Sequence, residues 1–178
     1  MHDEVRDFLA RVKKAMPERF RRARVLEIGS FNINGSAREF FEECDYVGCD
    51  WRSGPGVDIV GLGHQLDFPD GSFDVVVSTE CLEHDPHWRQ TLAAMKRMLK
   101  PGGLMLVTVA AFDRKPHELD CAPNRHYRNL QPEDLTPFLE DRVIYEENLL
   151  IHGIHFACIK RRGFVGSLLG KLGLGPGR

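Results

Sequence analysis

Val25-Leu-Glu-Ile-Gly-Ser-Phe-Asn-Ile-Asn-Gly-Ser36 is the stretch that decides the fold. A short apolar run carries one acid, Glu27, two residues before Gly29. A turn rich in Gly and Asn follows, and Ser36-x-x-Glu39 then has the form of a capping box that opens a helix. Strand, tight turn and helix make the first unit of a nucleotide-binding α/β sheet. The acid limits the nucleotide. A carboxylate beside the glycine turn repels a pyrophosphate, but it suits a cofactor that carries an ammonium group and a sulfonium.

Outward from this unit, Val5, Phe8, Leu9, Val12 and Met16 recur at helical spacing and predict an amphipathic helix over 3–16, ended by Pro17. Strand one is expected at 24–29 and a helix at 36–43. Tyr46–Asp50 and Val57–Val60 read as strands, with a turn at Ser53–Gly56 between them. Phe73–Ser78 and Leu104–Ala110 are continuous apolar runs, as in strands buried on both faces. Asp85-Pro86 reads as an N-cap with proline at the first helical position. Trp88, Leu92, Met95 and Leu99 then mark one face of a helix that Lys100-Pro-Gly-Gly103 stops. Residues 111–130 form a long polar loop, and loops of that length in a small domain commonly serve a site. Pro132–Leu139 is a short helix. Val143–Leu149 and Ile154–Lys160 are strands joined around Gly153, hence antiparallel. The order gives an α/β, Rossmann-like three-layer sandwich: β-α repeated about five times in a mostly parallel seven-stranded sheet, with an antiparallel hairpin at its C-terminal end.

Composition excludes several classes. A chain of 178 residues suits one domain with a sizeable core. A formal net charge of −2 gives no general field for nucleic acid or anionic lipid. The N-terminus has no signal-peptide pattern, and no apolar run approaches the roughly 20 residues of a membrane span. Five cysteines (44, 49, 81, 121 and 158) without a C-x-x-C pair read as reduced thiols, so the expected location is cytoplasmic. The domain is expected over 1–160. Residues 161–178, with six glycines from Gly163 onward, read as a basic and apolar tail that is flexible or lightly docked, with a weak membrane-surface contact as one reading.

Motifs across residues 20–160 resemble those of the class I S-adenosylmethionine-dependent methyltransferases. Glu27-x-Gly29 is similar to the family's first motif, and Asp50 to the acid after strand two. Leu62-Gly63-His64 resembles the segment after strand three. Ser72–Glu80 with Leu82-Glu-His84 resembles the strand-four signature, and Leu99–Gly103 the turn before strand five. Each is weak alone; five in order and spacing are specific. The resemblance implies S-adenosyl-L-methionine as cofactor. Glu27 would serve its methionine end, Asp50 the ribose hydroxyls, and Trp51 would cover the adenine. Gly29, Ser30, Phe31, Gly35, Leu62, Gly63, His64, Thr79 and Glu80 would line the rest. The chain departs from the pattern at Phe31 and Ile33, which interrupt the glycines, and at Leu62, where many relatives have an acid. Asn32 and Asn34 tolerate a left-handed backbone and could replace the missing glycines.

Methyl transfer needs a nucleophile held in line with an already activated methyl group, and an O or N nucleophile also has a proton to lose. The expected catalytic set is His84, His126 and Tyr127. His84 either takes that proton or only pins the strand–helix turn. The loop residues, His117, Asn124 and Arg128 among them, either bind the acceptor or decorate solvent. His84 and His87 have a metal-ligand spacing without a third ligand, and no metal is expected. The acceptor is expected to be a small molecule or a sugar-like metabolite. A nicotinamide oxidoreductase would need G-x-G-x-x-G after strand one, which is absent. A non-catalytic cofactor-binding relative remains the alternative.

Overall fold

The computed structural model describes residues 1–116, 125–138, 142–148 and 152–161. The elements are α1 (Asp3–Ala15), β1 (Arg24–Ile28), β2 (Asp45–Asp50), β3 (Ile59–Val60), β4 (Phe73–Thr79), α2 (Trp88–Met98), β5 (Leu99–Ala110), α3 (Pro132–Leu135), β6 (Arg142–Asn148) and β7 (Gly153–Ile159). The strands form one seven-stranded sheet in the order β3-β2-β1-β4-β5-β7-β6. β1 to β5 pair in parallel, and β7 runs antiparallel to both β5 and β6. The seven-stranded, mostly parallel sheet with its terminal antiparallel pair is therefore present as expected.

Two cores lie on the two faces of the sheet. Along β4, Val75 and Val77 enter the core under α1, while Val76 enters the core under α2. Along β5, Leu104 and Leu106 face the first, and Met105, Val107 and Val109 the second. A period of two with both faces buried explains the unbroken apolar runs. α1 contributes Val5, Phe8, Leu9 and Val12; α2 contributes Trp88, Leu92, Met95 and Met98. Each such side chain gives roughly 1.5–3 kcal/mol on burial.

Among the described residues the helices are fewer than five β-α repeats require. The box at Ser36 forms: the Arg38 amide donates to Ser36 Oγ at 3.1 Å, and the Ser36 amide to Glu39 Oε1 at 3.1 Å. Yet the expected helix over 36–43 is a single 3-10 turn, Ala37–Phe40. Phe41 stacks on Phe20 with ring centres 4.7 Å apart, and the Glu42 amide donates to the Phe20 carbonyl at 2.8 Å. The chain is drawn back to residues 20–22 before a second turn can form. β3 is shorter than expected because residues 54–57 close a turn and the Asp58 carboxylate accepts the Gly48 amide at 2.7 Å. Asp85 does accept a backbone amide, that of His87 at 2.7 Å, but regular helix begins only at Trp88.

Gly48 shows how tightly β2 meets the turn after β1. A Cβ there would stand 2.2 Å from the Gly56 carbonyl oxygen and 2.7 Å from Ser30 Oγ. Backbone cannot yield as a flexible side chain does, so Gly48→Ala is expected to cost about 1–3 kcal/mol in urea unfolding. Unchanged stability would show that this turn is slack. No helix among the described residues is long and apolar enough to cross a membrane. The expected tail falls, from residue 162 onward, outside the described residues.

Candidate active site

The C-terminal ends of β1, β2 and β4 open into one cleft that encloses about 1090 Å³, its open mouth included. Gly29 turns the chain out of β1 at φ +83°, and a Cβ there would lie 2.4 Å from Cys81 Sγ. The turn that follows is held by a side chain where a glycine is missing. Asn32 Oδ1 accepts the Gly35 amide at 2.8 Å. Neither Asn32 nor Asn34 has a positive φ, so the expected left-handed asparagines are replaced by an Asx-type closure.

The acids are placed by adjacent strands. Glu27, on β1, is 2% exposed and accepts the Tyr46 hydroxyl at 3.0 Å. Burial pushes its carboxyl up to about 7 against the pull of that hydrogen bond and of Arg38. Asp50, at the end of β2, accepts the Phe31 amide through one oxygen and the Arg52 amide through the other, both at 3.2 Å. It ties the turn after β1 to the turn after β2, and burial raises its carboxyl as well. The Arg52 guanidinium lies 3.9 Å from the centre of the Phe31 ring and 5.8 Å from that of Trp51. Trp51 is 39% exposed at the cleft wall. Ser30, Gly35, Leu62, Gly63, Thr79 and His84 also line the cleft.

Glu80 occupies the strained left-handed region at φ +50°, where β4 ends. Its amide donates to the Thr108 carbonyl at 2.9 Å, and its carboxylate is ion-paired with Arg114. Arg114 also donates to a ring nitrogen of His2 at 2.6 Å. Behind them lies Glu83, fully buried, with Oε1 accepting the Ala110 amide at 3.2 Å. Burial, then the charge of Glu80, raises its carboxyl well above the usual range.

His84 reaches the cleft and is 6% exposed, its ring edge-on to Tyr127 at 5.3 Å between centres. Tyr127 stands behind His84, not on the lining, and its hydroxyl donates to Asn129 Oδ1 at 3.1 Å. His126 is likewise off the lining. His64 turns away to meet His87, ring centres 4.4 Å apart, so the two histidines of the metal-like spacing have different neighbours. His152 pairs with Asp113, and His155 with Glu146. His117 and Asn124 lie outside the described residues. The sequence reading missed His2, Arg52, Cys81 and Arg114 on or beside the cleft. Cys81 and Arg52 adjoin recognised motifs and were within reach; nothing local marks His2, brought there by the docking of α1.

Residues 1–142 match a family described as a methyltransferase domain. A probable S-adenosylmethionine-dependent methyltransferase of Mycolicibacterium smegmatis is 33% identical over 118 residues, 61% of this chain and 44% of that protein. Phosphoethanolamine N-methyltransferase 2 of Caenorhabditis elegans is 28% identical over 131 residues, 60% of this chain and 30% of the relative. The chain thus spans less than half the length of these curated relatives. Among solved structures, the 1,6-didemethyltoxoflavin-N1-methyltransferase of Burkholderia thailandensis, with 1,6-didemethyltoxoflavin and S-adenosylhomocysteine bound, superposes with a TM-score of 0.67 at 18% identity, covering 90% of this chain and 79% of that one. That likeness is one of fold. By the family match over most of its length, this chain belongs to the class I methyltransferase domain family.

Proposed function

We propose that this chain is an S-adenosyl-L-methionine-dependent methyltransferase acting on an O or N atom of a small-molecule or sugar-like acceptor. The observation that carries this reading is the placement of Glu27 and Asp50 at the ends of adjacent parallel strands, both facing one cleft. The donor set fits the cofactor. Asp50 has two oxygens to offer two ribose hydroxyls. Glu27 offers a buried carboxylate to an ammonium group. Trp51 stands where an adenine would be covered, with Leu62 and Gly63 beside it. Ser30, Phe31, Gly35 and the Thr79–Glu80 backbone complete the wall. Gly29 lets the chain turn out of β1 with Cys81 packed directly against it, a position that any side chain would disturb. Bound there, the cofactor supplies an activated methyl group, and the chain has mainly to orient an acceptor toward it and exclude water. His84, which lines the same cleft with Tyr127 behind it, would take the acceptor's proton; His126, next to Tyr127 in sequence, lies off the lining.

S-Adenosylhomocysteine tests the reading directly. At 100 times its dissociation constant it should stabilise the fold by about 2.7 kcal/mol. For a domain of this size that raises the melting temperature by roughly 5–10 °C. A folded protein whose melting curve ignores millimolar ligand would remove the proposal.

A further inference from the structure

The register of β1 on β2 gives Glu27 a particular neighbour. The two strands pair with Val25 opposite Tyr46 and Glu27 opposite Gly48. Side chains alternate along each strand, so Glu27 and Tyr46 share one face of the sheet, the face that Val25 buries under α1. Gly48 has no side chain to stand between them. The Tyr46 hydroxyl reaches across the diagonal and donates to Glu27 Oε2 at 3.0 Å.

That hydroxyl is held in place. The Phe41 ring meets the Tyr46 ring edge-on, with centres 5.4 Å apart. The Arg38 guanidinium lies over the same ring, 4.6 Å from its centre. Both contacts favour one ring orientation. Burial works against the charged form of Glu27. Tyr46 is the strongest of the groups that favour it, ahead of Arg38 and the Ala37 amide, while Asp50 adds to the effect of burial. Around Tyr46 itself the acidic groups are Glu27 and Cys44, and the cation is Arg38. Glu27 lines the cleft and Tyr46 does not. A bond fixed on one oxygen thus limits how the carboxyl turns toward a ligand.

We propose that Tyr46 is a positioning residue for cofactor binding: acting through Glu27, it turns a carboxylate toward the ammonium group of S-adenosyl-L-methionine without touching the cofactor. This rests on the methyltransferase reading. An ammonium is held by the ionised acid, and a hydrogen bond donated to the carboxylate stabilises that form. Loss of the hydroxyl frees the carboxyl to turn and moves its ionisation to higher pH. A tyrosine that only fills the core beside Phe41 would do neither.

Tyr46→Phe removes one oxygen and keeps the ring. The probes are S-adenosylhomocysteine and 5′-methylthioadenosine, which lacks the amino-acid end. Both are titrated by calorimetry from pH 6 to pH 9, after thermal unfolding confirms the variant's fold. At pH 7, Tyr46→Phe should weaken S-adenosylhomocysteine roughly tenfold. The rise of its affinity with pH, centred at about 7 in the wild type, should move up by about one unit. The ligand's own ammonium is common to both proteins and cancels in the comparison. 5′-Methylthioadenosine should bind both proteins alike. In a Glu27→Gln background, Tyr46→Phe should have no further effect on S-adenosylhomocysteine. Should Tyr46→Phe not fold, 3-fluorotyrosine at position 46, a stronger donor of nearly the same shape, should move the rise to lower pH. An unaltered affinity and pH profile, an equal loss for the two ligands, or an undiminished effect in the Glu27→Gln background would overturn the assignment. Failure of the wild type to bind S-adenosylhomocysteine at any pH would strike the cofactor reading instead.

Discussion

Asp50→Ala is expected to weaken S-adenosylhomocysteine binding by roughly 10²–10⁴-fold, because two ribose hydroxyls each lose a bond to a charged acceptor worth about 1.5–3 kcal/mol. Asp58→Ala makes the informative partner. Asp58 is only ten residues from the Gly48 amide that it accepts at 2.7 Å, and it pairs with Arg38. That amide bond holds its carboxyl below the usual carboxylate range. Asp58 does not line the cleft. Its side chain is 46% exposed, so the lower end of the range applies, and Asp58→Ala should cost about 1.5 kcal/mol of stability. Affinity should fall less than threefold. Calorimetric titration and urea unfolding of both variants separate the two effects. Equal affinities would show that the ribose does not rest on Asp50.

The contrast between these two acids shows what the sequence makes legible. Both end up near a glycine-rich turn, and their residue types are identical. Asp50 is distinguished by following a strand that is apolar enough to be placed next to β1, which fixes its end at the cleft. Glu27 and Gly29 likewise stand at the end of a buried strand, whereas Gly63 follows the short, partly exposed β3 and was picked out by the family resemblance alone. Elements set by packing between distant segments were not legible. The helix expected after Ser36 was lost to Phe41, which prefers the Phe20 ring twenty-one residues earlier. His64 was read as facing the cleft, but a 3-10 turn at Gly63–Gln65 leaves it against His87. Arg114 and His2 meet across 112 residues, and no periodicity in either segment encodes that encounter. Strand patterns report the sheet; the polar wall that loops and helix ends add to it depends on tertiary contacts that single residues do not announce.

Glu27 is where stability and function are set against each other. Its carboxyl is pushed from 4.5 up to about 7 by burial, so the fold prefers the protonated form. A raised carboxyl in the native state means that the native protein holds more protons than the unfolded chain between those two values. Stability is therefore fully present below about pH 4.5, declines as pH rises, and is lost once pH passes about 7. At 1.36 kcal/mol per unit, this amounts to about 3 kcal/mol. Glu27→Gln removes the ionisation and keeps an oxygen for the Tyr46 hydroxyl. Without ligand, the variant should match the wild type at pH 4.5 and exceed it by about 3 kcal/mol at pH 8, with wild-type-minus-variant differences cancelling the contribution of Glu83. The ligand should reverse the order. A carboxylate that opposes an ammonium stabilises the complex only when ionised, so wild-type affinity for S-adenosylhomocysteine should rise between pH 6 and pH 8 while the variant's stays low and flat. Denaturant curves and titrations at those pH values read both halves. A variant that binds as tightly as the wild type at pH 8 would remove Glu27 from the ammonium site. A variant no more stable than the wild type at pH 8 would show that water or a conformational shift already solvates the buried charge. The expected pair of results, a more stable protein that has lost its ligand, would mark Glu27 as an acid retained for binding at the expense of the fold.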